Sequence, residues 1–138
     1  FAFHATACAT ALTVQRIVEE EGLIARVRQQ GPRFQQMLAE ALDGFPHVGD
    51  IRGRGLFIGI EWVQEQGCTT PLPPDPTRSA RIRAHALERG LLCYPMHGTI
   101  DGVQGDHVLF APPFVSADAD LETMVSLFAE VARHALLH

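Results

Sequence analysis

At 138 residues the chain suits a single domain, and a hydrophobic share of 46% is enough for a packed core, which excludes a disordered chain. The net charge of −5, with acids and arginines interspersed and no basic run, argues against a nucleic-acid partner. No apolar stretch approaches the roughly 20 residues that span a bilayer, and no signal-peptide pattern opens the chain, so no membrane association is expected.

The first predicted element is a long helix over residues 4–21. Thr6, Thr10, Thr13 and Arg16 form a polar stripe, and Ala7, Cys8, Ala11, Leu12, Val14 and Val18 supply the apolar remainder. Gly22 punctuates, and a second amphipathic helix begins at Leu23. Gly31-Pro32 is expected to interrupt it, after which Phe34, Met37, Leu38, Ala41 and Leu42 continue the apolar face to a turn at Asp43-Gly44-Phe45-Pro46. Strands are predicted over 48–51 and 56–63, then a proline-rich loop over 64–75. Asp75-Pro76 should open a third helix that stops at Gly90. Short strands over 91–94 and 108–111 flank a glycine-rich loop at 95–107. Ser116 should cap a last helix, with Asp118 and Asp120 in its first turn and Leu121, Met124, Val125, Phe128 and Val131 on its buried face. Pro113 is a candidate for a cis bond. The expected fold is α+β: a small, mainly antiparallel sheet of three or four strands with helices on one side, preceded by the long N-terminal helix.

Cys8, Cys68 and Cys93 are odd in number and widely spaced, which fits neither a disulfide framework nor a zinc knuckle and suits a reducing cytoplasm. Cys8 and Cys93 sit in apolar contexts and read as buried, inert thiols. His97, Asp101, Asp106 and His107 match no zinc template; Asp106 or His107 is expected to pin the loop that carries them by hydrogen bonds. His134 and His138 read as solvated.

The most telling stretch is Val48-Gly49-Asp50-Ile51-Arg52-Gly53-Arg54-Gly55-Leu56-Phe57-Ile58-Gly59-Ile60-Glu61. Glycines at near-alternate positions weaken a strand unless another backbone must come close. Arg52 and Arg54 flank one of them, and each reads either as a carboxylate-binding fork or as a partner for Asp50 or Glu61.

This stretch resembles the "VGDVRGxGLMxGIE" segment of the class-III pyridoxal-phosphate aminotransferases. Three further segments, in register, are similar to the same family. They are His4-Ala5-Thr6-Ala7-Cys8-Ala9-Thr10-Ala11-Leu12, Glu19-Glu20-Glu21-Gly22-Leu23 and Gly105-Asp106-His107-Val108-Leu109-Phe110-Ala111-Pro112-Pro113-Phe114. The resemblance implies the C-terminal small domain of a fold-type-I aminotransferase over residues 1–138, with residues 1–21 as the helix leading out of the large domain. It implies amino-group transfer in a parent enzyme that carries pyridoxal phosphate and includes the large domain and a second subunit. It also places a loop similar to 95–107 over the substrate entrance, which makes Arg52, Arg54, His97, Asp106 and His107 the substrate-entrance candidates. The pattern departs from the family where Phe1-Ala2-Phe3 replaces a threonine-bearing glycine turn, and where Gly102, Val103 and Leu109 stand in place of a substrate-carboxylate arginine.

All eleven basic residues are arginines, and the chain has no lysine. An aldehyde cofactor is tethered through a lysine amine. The chain alone is therefore expected to be catalytically inactive, to hold no cofactor and to self-associate through surface meant for the missing domain. The alternative is a free-standing binding, regulatory or assembly module that reuses the small-domain fold.

Overall fold

A computed structural model describes residues 4–137. Eight elements follow in chain order: α1 (Ala5–Glu20), α2 (Leu23–Ala41), β1 (Val48–Arg54), β2 (Phe57–Trp62), α3 (Arg78–Glu88), β3 (Tyr94–Met96), β4 (Asp106–Phe110) and α4 (Asp118–Leu137). The strands pair in the order β1-β2-β4-β3, every neighbouring pair antiparallel. This is the expected α+β architecture, with four strands.

Period-two patterning decides which face of the sheet is covered. Along β2, Ile58, Ile60 and Trp62 are buried, whereas Phe57 is exposed and Gly59 and Glu61 are half-buried. Along β4, Val108 and Phe110 are buried and His107 and Leu109 alternate with them. The register aligns Ile60 with Val108 and Glu61 with His107, so one row of apolar side chains faces the helices and one mixed row faces away. The covered face packs against α2, α3 and α4 through Phe34, Leu38, Ile82, Leu121, Val125 and Phe128. Phe110 meets Phe128 edge-on at 4.8 Å between ring centroids, and Phe34 approaches Phe110 at 6.1 Å.

Helix α1 stands apart. None of its residues is buried, and Leu12, Val14 and Ile17 are all exposed. Cys8 is exposed as well, contrary to the expectation of a buried thiol, because its apolar context lies along a helix that the rest of this chain does not cover. Cys93 is buried, and loss of hydration pushes its thiol up to about 11.

Several boundaries differ from the sequence expectation. Pro32 does not interrupt α2, which runs unbroken from Leu23 to Ala41. It stands on the exposed side, where water can satisfy the carbonyl freed by the missing N–H, while Phe34 and Leu38 anchor the following turns in the core. Strand β1 extends to Arg54, and β3 begins at Tyr94, where the predicted strand was to end. Helix α3 starts after Thr77, whose backbone and side chain both donate to the Asp75 carboxylate, so Pro76 precedes the helix. Ser116 is not the cap of α4. Its carbonyl accepts from Arg26 and Gln30, and the Ala117 N–H donates to Asp120 at the helix start. No cis peptide occurs among the described residues, Pro113 included. The His134 ring packs edge-on against His85 at 4.0 Å rather than standing free in water, and His138 lies outside the described residues.

The glycines of the β1–β2 run are explained by backbone approach. A Cβ at Gly31 of α2 would lie 2.6 Å from the Gly55 carbonyl oxygen, and Gly55 itself turns with φ of +59°. Helix and hairpin thus meet backbone to backbone. Gly31→Ala would gain about 1 kcal/mol of helix propensity. The clash with fixed backbone should cost about 3 kcal/mol. A net destabilisation of about 2 kcal/mol is expected in chemical denaturation.

Candidate functional site

The uncovered face of the sheet carries the charged groups. Arg52 on β1 lies opposite Gly59 on β2, and Asp50 lies opposite Glu61. Its guanidinium donates from one nitrogen to Asp50 at 2.8 Å and to Glu61 at 2.6 Å. The hydrogen bonds it donates to Glu61 and then to Asp50 raise its pKa. The group is largely exposed, so these pairs are worth little for stability. Their importance is that they hold Arg52 between two carboxylates.

Above this row folds the loop of residues 97–105. A cavity of about 480 Å³ lies between them, lined by Arg52, Glu61 and His107 on its polar side and by Phe57, Ile100 and Leu109 on its apolar side. His107 is half-buried and makes no hydrogen bond among the described residues. Desolvation, with Arg52 as the next contributor, lowers its pKa, so the imidazole is neutral near pH 7.

Asp106 also borders the cavity, but its carboxylate is engaged by Arg78 at the start of α3, and both side chains are about nine-tenths buried. Arg78 donates in addition to the Pro73 carbonyl at 2.9 Å. This pair ties β4 to α3 and to the proline-rich loop, instead of pinning the loop at 97–105 as expected of Asp106. Asp106→Ala would leave Arg78 buried without a counter-charge, and a loss of about 3 kcal/mol or more is expected. Arg33→Ala, in the half-exposed cluster with Asp118 and Glu122, should cost under about 1 kcal/mol, both variants being compared by urea titration.

The loop closes on itself. The Asp101 carboxylate accepts from the backbone N–H groups of Val103 and Gln104 at 2.9 and 2.7 Å. Thr99 hydrogen-bonds the Gly105 carbonyl through both its backbone and its hydroxyl. Gly98, Gly102 and Gly105 all have positive φ, and a Cβ on Gly105 would meet Ile100 at 2.7 Å. Ile100, itself largely exposed, lies over Gly105 and forms one wall of the cavity. The backbone hydrogen bonds to Gln104 and Val103 lower the Asp101 pKa. That order is therefore complete above the ordinary aspartate range near about pH 4 and fades as the pH falls through the lowered value. Asp101→Ala should speed amide exchange at Val103 and Gln104 at neutral pH by about tenfold. The melting temperature of the whole chain should barely move.

Of the five candidates from sequence, three meet at one place: Arg52, Asp106 and His107. Arg54 is exposed at the end of β1 and borders a different cavity with Val27, Gly31 and Gln35. His97 is exposed and outside the lining. Sequence reasoning missed Phe57, Ile100 and Leu109 as walls and Arg78 as the partner of Asp106. The alternation of β2 and β4 was the available signal for Phe57 and Leu109, and no local signal marks Arg78. Among the described residues, no group of three or more His, Cys, Asp or Glu side chains could hold a metal ion.

Comparison with known proteins places this arrangement. The family model described as "Aminotransferase class-III" matches residues 1–132. The chain belongs to the class-III aminotransferases. An uncharacterized aminotransferase of Schizosaccharomyces pombe is 37% identical over 127 residues, covering 92% of this chain and 28% of the relative. A crystal structure of a Bacillus anthracis aminotransferase superposes with a TM-score of 0.83 at 31% identity, over 93% of this chain and 28% of that one. The pyridoxamine-phosphate-bound aminotransferase from Vibrio fluvialis superposes with a TM-score of 0.80 at 28% identity, over 95% of this chain and 27% of that one. This class-III chain thus spans little more than a quarter of the length of the relatives it matches.

The residues present do not fit the pyridoxal cofactor of the family. None carries a primary amine side chain for a covalent link. Arg52, the cavity's cation, is held by Asp50 and Glu61 and is not free to meet a phosphate. What this class-III chain does offer is a shaped, partly apolar surface with a fixed charge pattern.

Proposed function

We propose that the chain is the C-terminal small domain of a pyridoxal-phosphate-dependent class-III aminotransferase, which moves amino groups between an amine or amino acid and a 2-oxo acid. In this reading the domain shapes the substrate entrance and supplies contacts, while proton transfer and cofactor binding belong to a large domain and a second subunit. On its own it is catalytically inactive. One observation carries the reading: the sheet face left free by the helices holds a cavity where three of the five candidate residues converge under a preformed loop.

Two further features support it. Sequence coverage of 28% of the relatives' length leaves room for a whole catalytic domain elsewhere. Helix α1, with Leu12 60% and Val14 50% exposed, presents apolar surface that a larger assembly would cover, and through which the separate chain would self-associate. A reducing cytoplasm suits its three free cysteines.

Incubating the 138-residue chain with pyridoxal phosphate, dialysing, and recording the visible spectrum checks the central claim. No absorbance should remain, and no transamination should be detected. A stoichiometric band that survives dialysis would overturn the proposal.

A further inference from the structure

The close approach of Gly31 to Gly55 also builds a second cavity, of about 500 Å³, between α2 and the turn joining β1 to β2. A Cβ on Gly31 would lie 2.6 Å from the Gly55 carbonyl oxygen, and one on Gly55 would lie 2.7 Å from Cγ1 of Val27. Backbone contact thus fixes the separation of helix and hairpin. Arg28 stands one helical turn before Gly31 on the same side of α2, and Arg54 immediately precedes Gly55. Both arginines therefore line the cavity, with Ile24, Val27 and Pro32 on its apolar side.

The charges here are unbalanced. Neither Arg28 nor Arg54 makes a hydrogen bond or ion pair among the described residues, and no acidic side chain among them lines the cavity. Elsewhere the cations are compensated: Arg52 lies between Asp50 and Glu61, and Arg33 between Asp118 and Glu122. Two like charges sharing one cavity repel, and an anion bridging them relieves the repulsion while gaining charge-assisted hydrogen bonds. One carboxylate saturates one guanidinium fork and leaves the other unmet. A phosphoryl dianion carries three terminal oxygens and about two charges, enough for both.

From this we infer that the cavity between α2 and the hairpin binds a phosphoryl dianion, either free phosphate or a phosphate monoester. Arg28 donates to it from the helix and Arg54 from the turn. The organic group of a monoester lies along Val27, Pro32 and the half-exposed Ile24. The assignment is independent of the entrance reading, because the linings of the two cavities have only Gly53 in common.

The test titrates the intact 138-residue chain with inorganic phosphate, phenyl phosphate and acetate at roughly pH 7.5, where phosphate is mostly the dianion, and at constant ionic strength. Arginine side-chain and glycine amide signals are followed by NMR. Phosphate should move the Nε signals of Arg28 and Arg54 and the amide of Gly55. Arg83, exposed on α3 and outside this cavity, should stay in place, and acetate should move none of them. Phenyl phosphate binding about fivefold more tightly than phosphate assigns the site to monoesters, and equal affinities assign it to the free ion. Arg28→Gln and Arg54→Gln should each weaken binding by about fivefold, the upper range for one exposed charge contact. Both side chains are exposed, so an unchanged melting temperature without ligand separates a binding role from a folding defect. Shifts at Arg83 equal to those at Arg28 and Arg54 would overturn the inference. So would affinity that neither substitution alters, acetate binding as tightly as phosphate, or no shift with either phosphate.

Discussion

A sheet with one covered face is the constraint from which the remaining features follow. Ile58, Ile60 and Trp62 on β2 and Val108 and Phe110 on β4 must leave water, and three helices satisfy them from a single side. The register that aligns these residues also aligns Glu61 with His107 and Arg52 with Gly59 on the opposite side. A one-residue slip would exchange the two rows and bury the charges. Hydrophobic packing therefore fixes the position of the polar groups as strictly as it fixes the core.

Two kinds of electrostatic contact coexist around this sheet, and burial separates their roles. Arg78 and Asp106 are withdrawn from solvent and cross-link β4 to α3, where neither tolerates the loss of the other. Arg52, Asp50 and Glu61 sit at the surface, where water screens them and their contribution to stability is small. Their consequence lies in the potential they set over the cavity. Proximity in sequence conceals this difference, because Asp106, whose carboxylate is taken by Arg78, is followed directly by His107, aligned with Glu61.

The loop over the cavity obtains its order locally. Asp101 and Thr99 satisfy its backbone from within, and glycines at 98, 102 and 105 allow the left-handed turns that this requires. A preformed loop presents Ile100 without the entropic cost of closing on a ligand. Helix α1 is the contrasting case. It is regular by its own propensity, yet buries nothing within the chain, as befits a segment of a family whose members are several times longer.

Much was legible in the residues themselves. The eight elements, the α+β class and the class-III resemblance follow from apolar periodicity, turn residues and four motifs in register, all of which are local properties of the chain. So is the absence of lysine, which removes the covalent link to an aldehyde cofactor. What required the folded structure is every relation between distant residues. Pro32 continues a helix because its side of α2 faces water. Gly31 is glycine because Gly55, twenty-four positions later, passes within contact. Arg78 neutralises Asp106 across the fold, while Arg54 and His97 are carried away from the place where Arg52 and His107 meet. Local sequence sets period and propensity through short-range sterics and hydrogen bonding. Burial, charge pairing and cavity shape depend on which surfaces the whole core brings together, and only packing in three dimensions decides that.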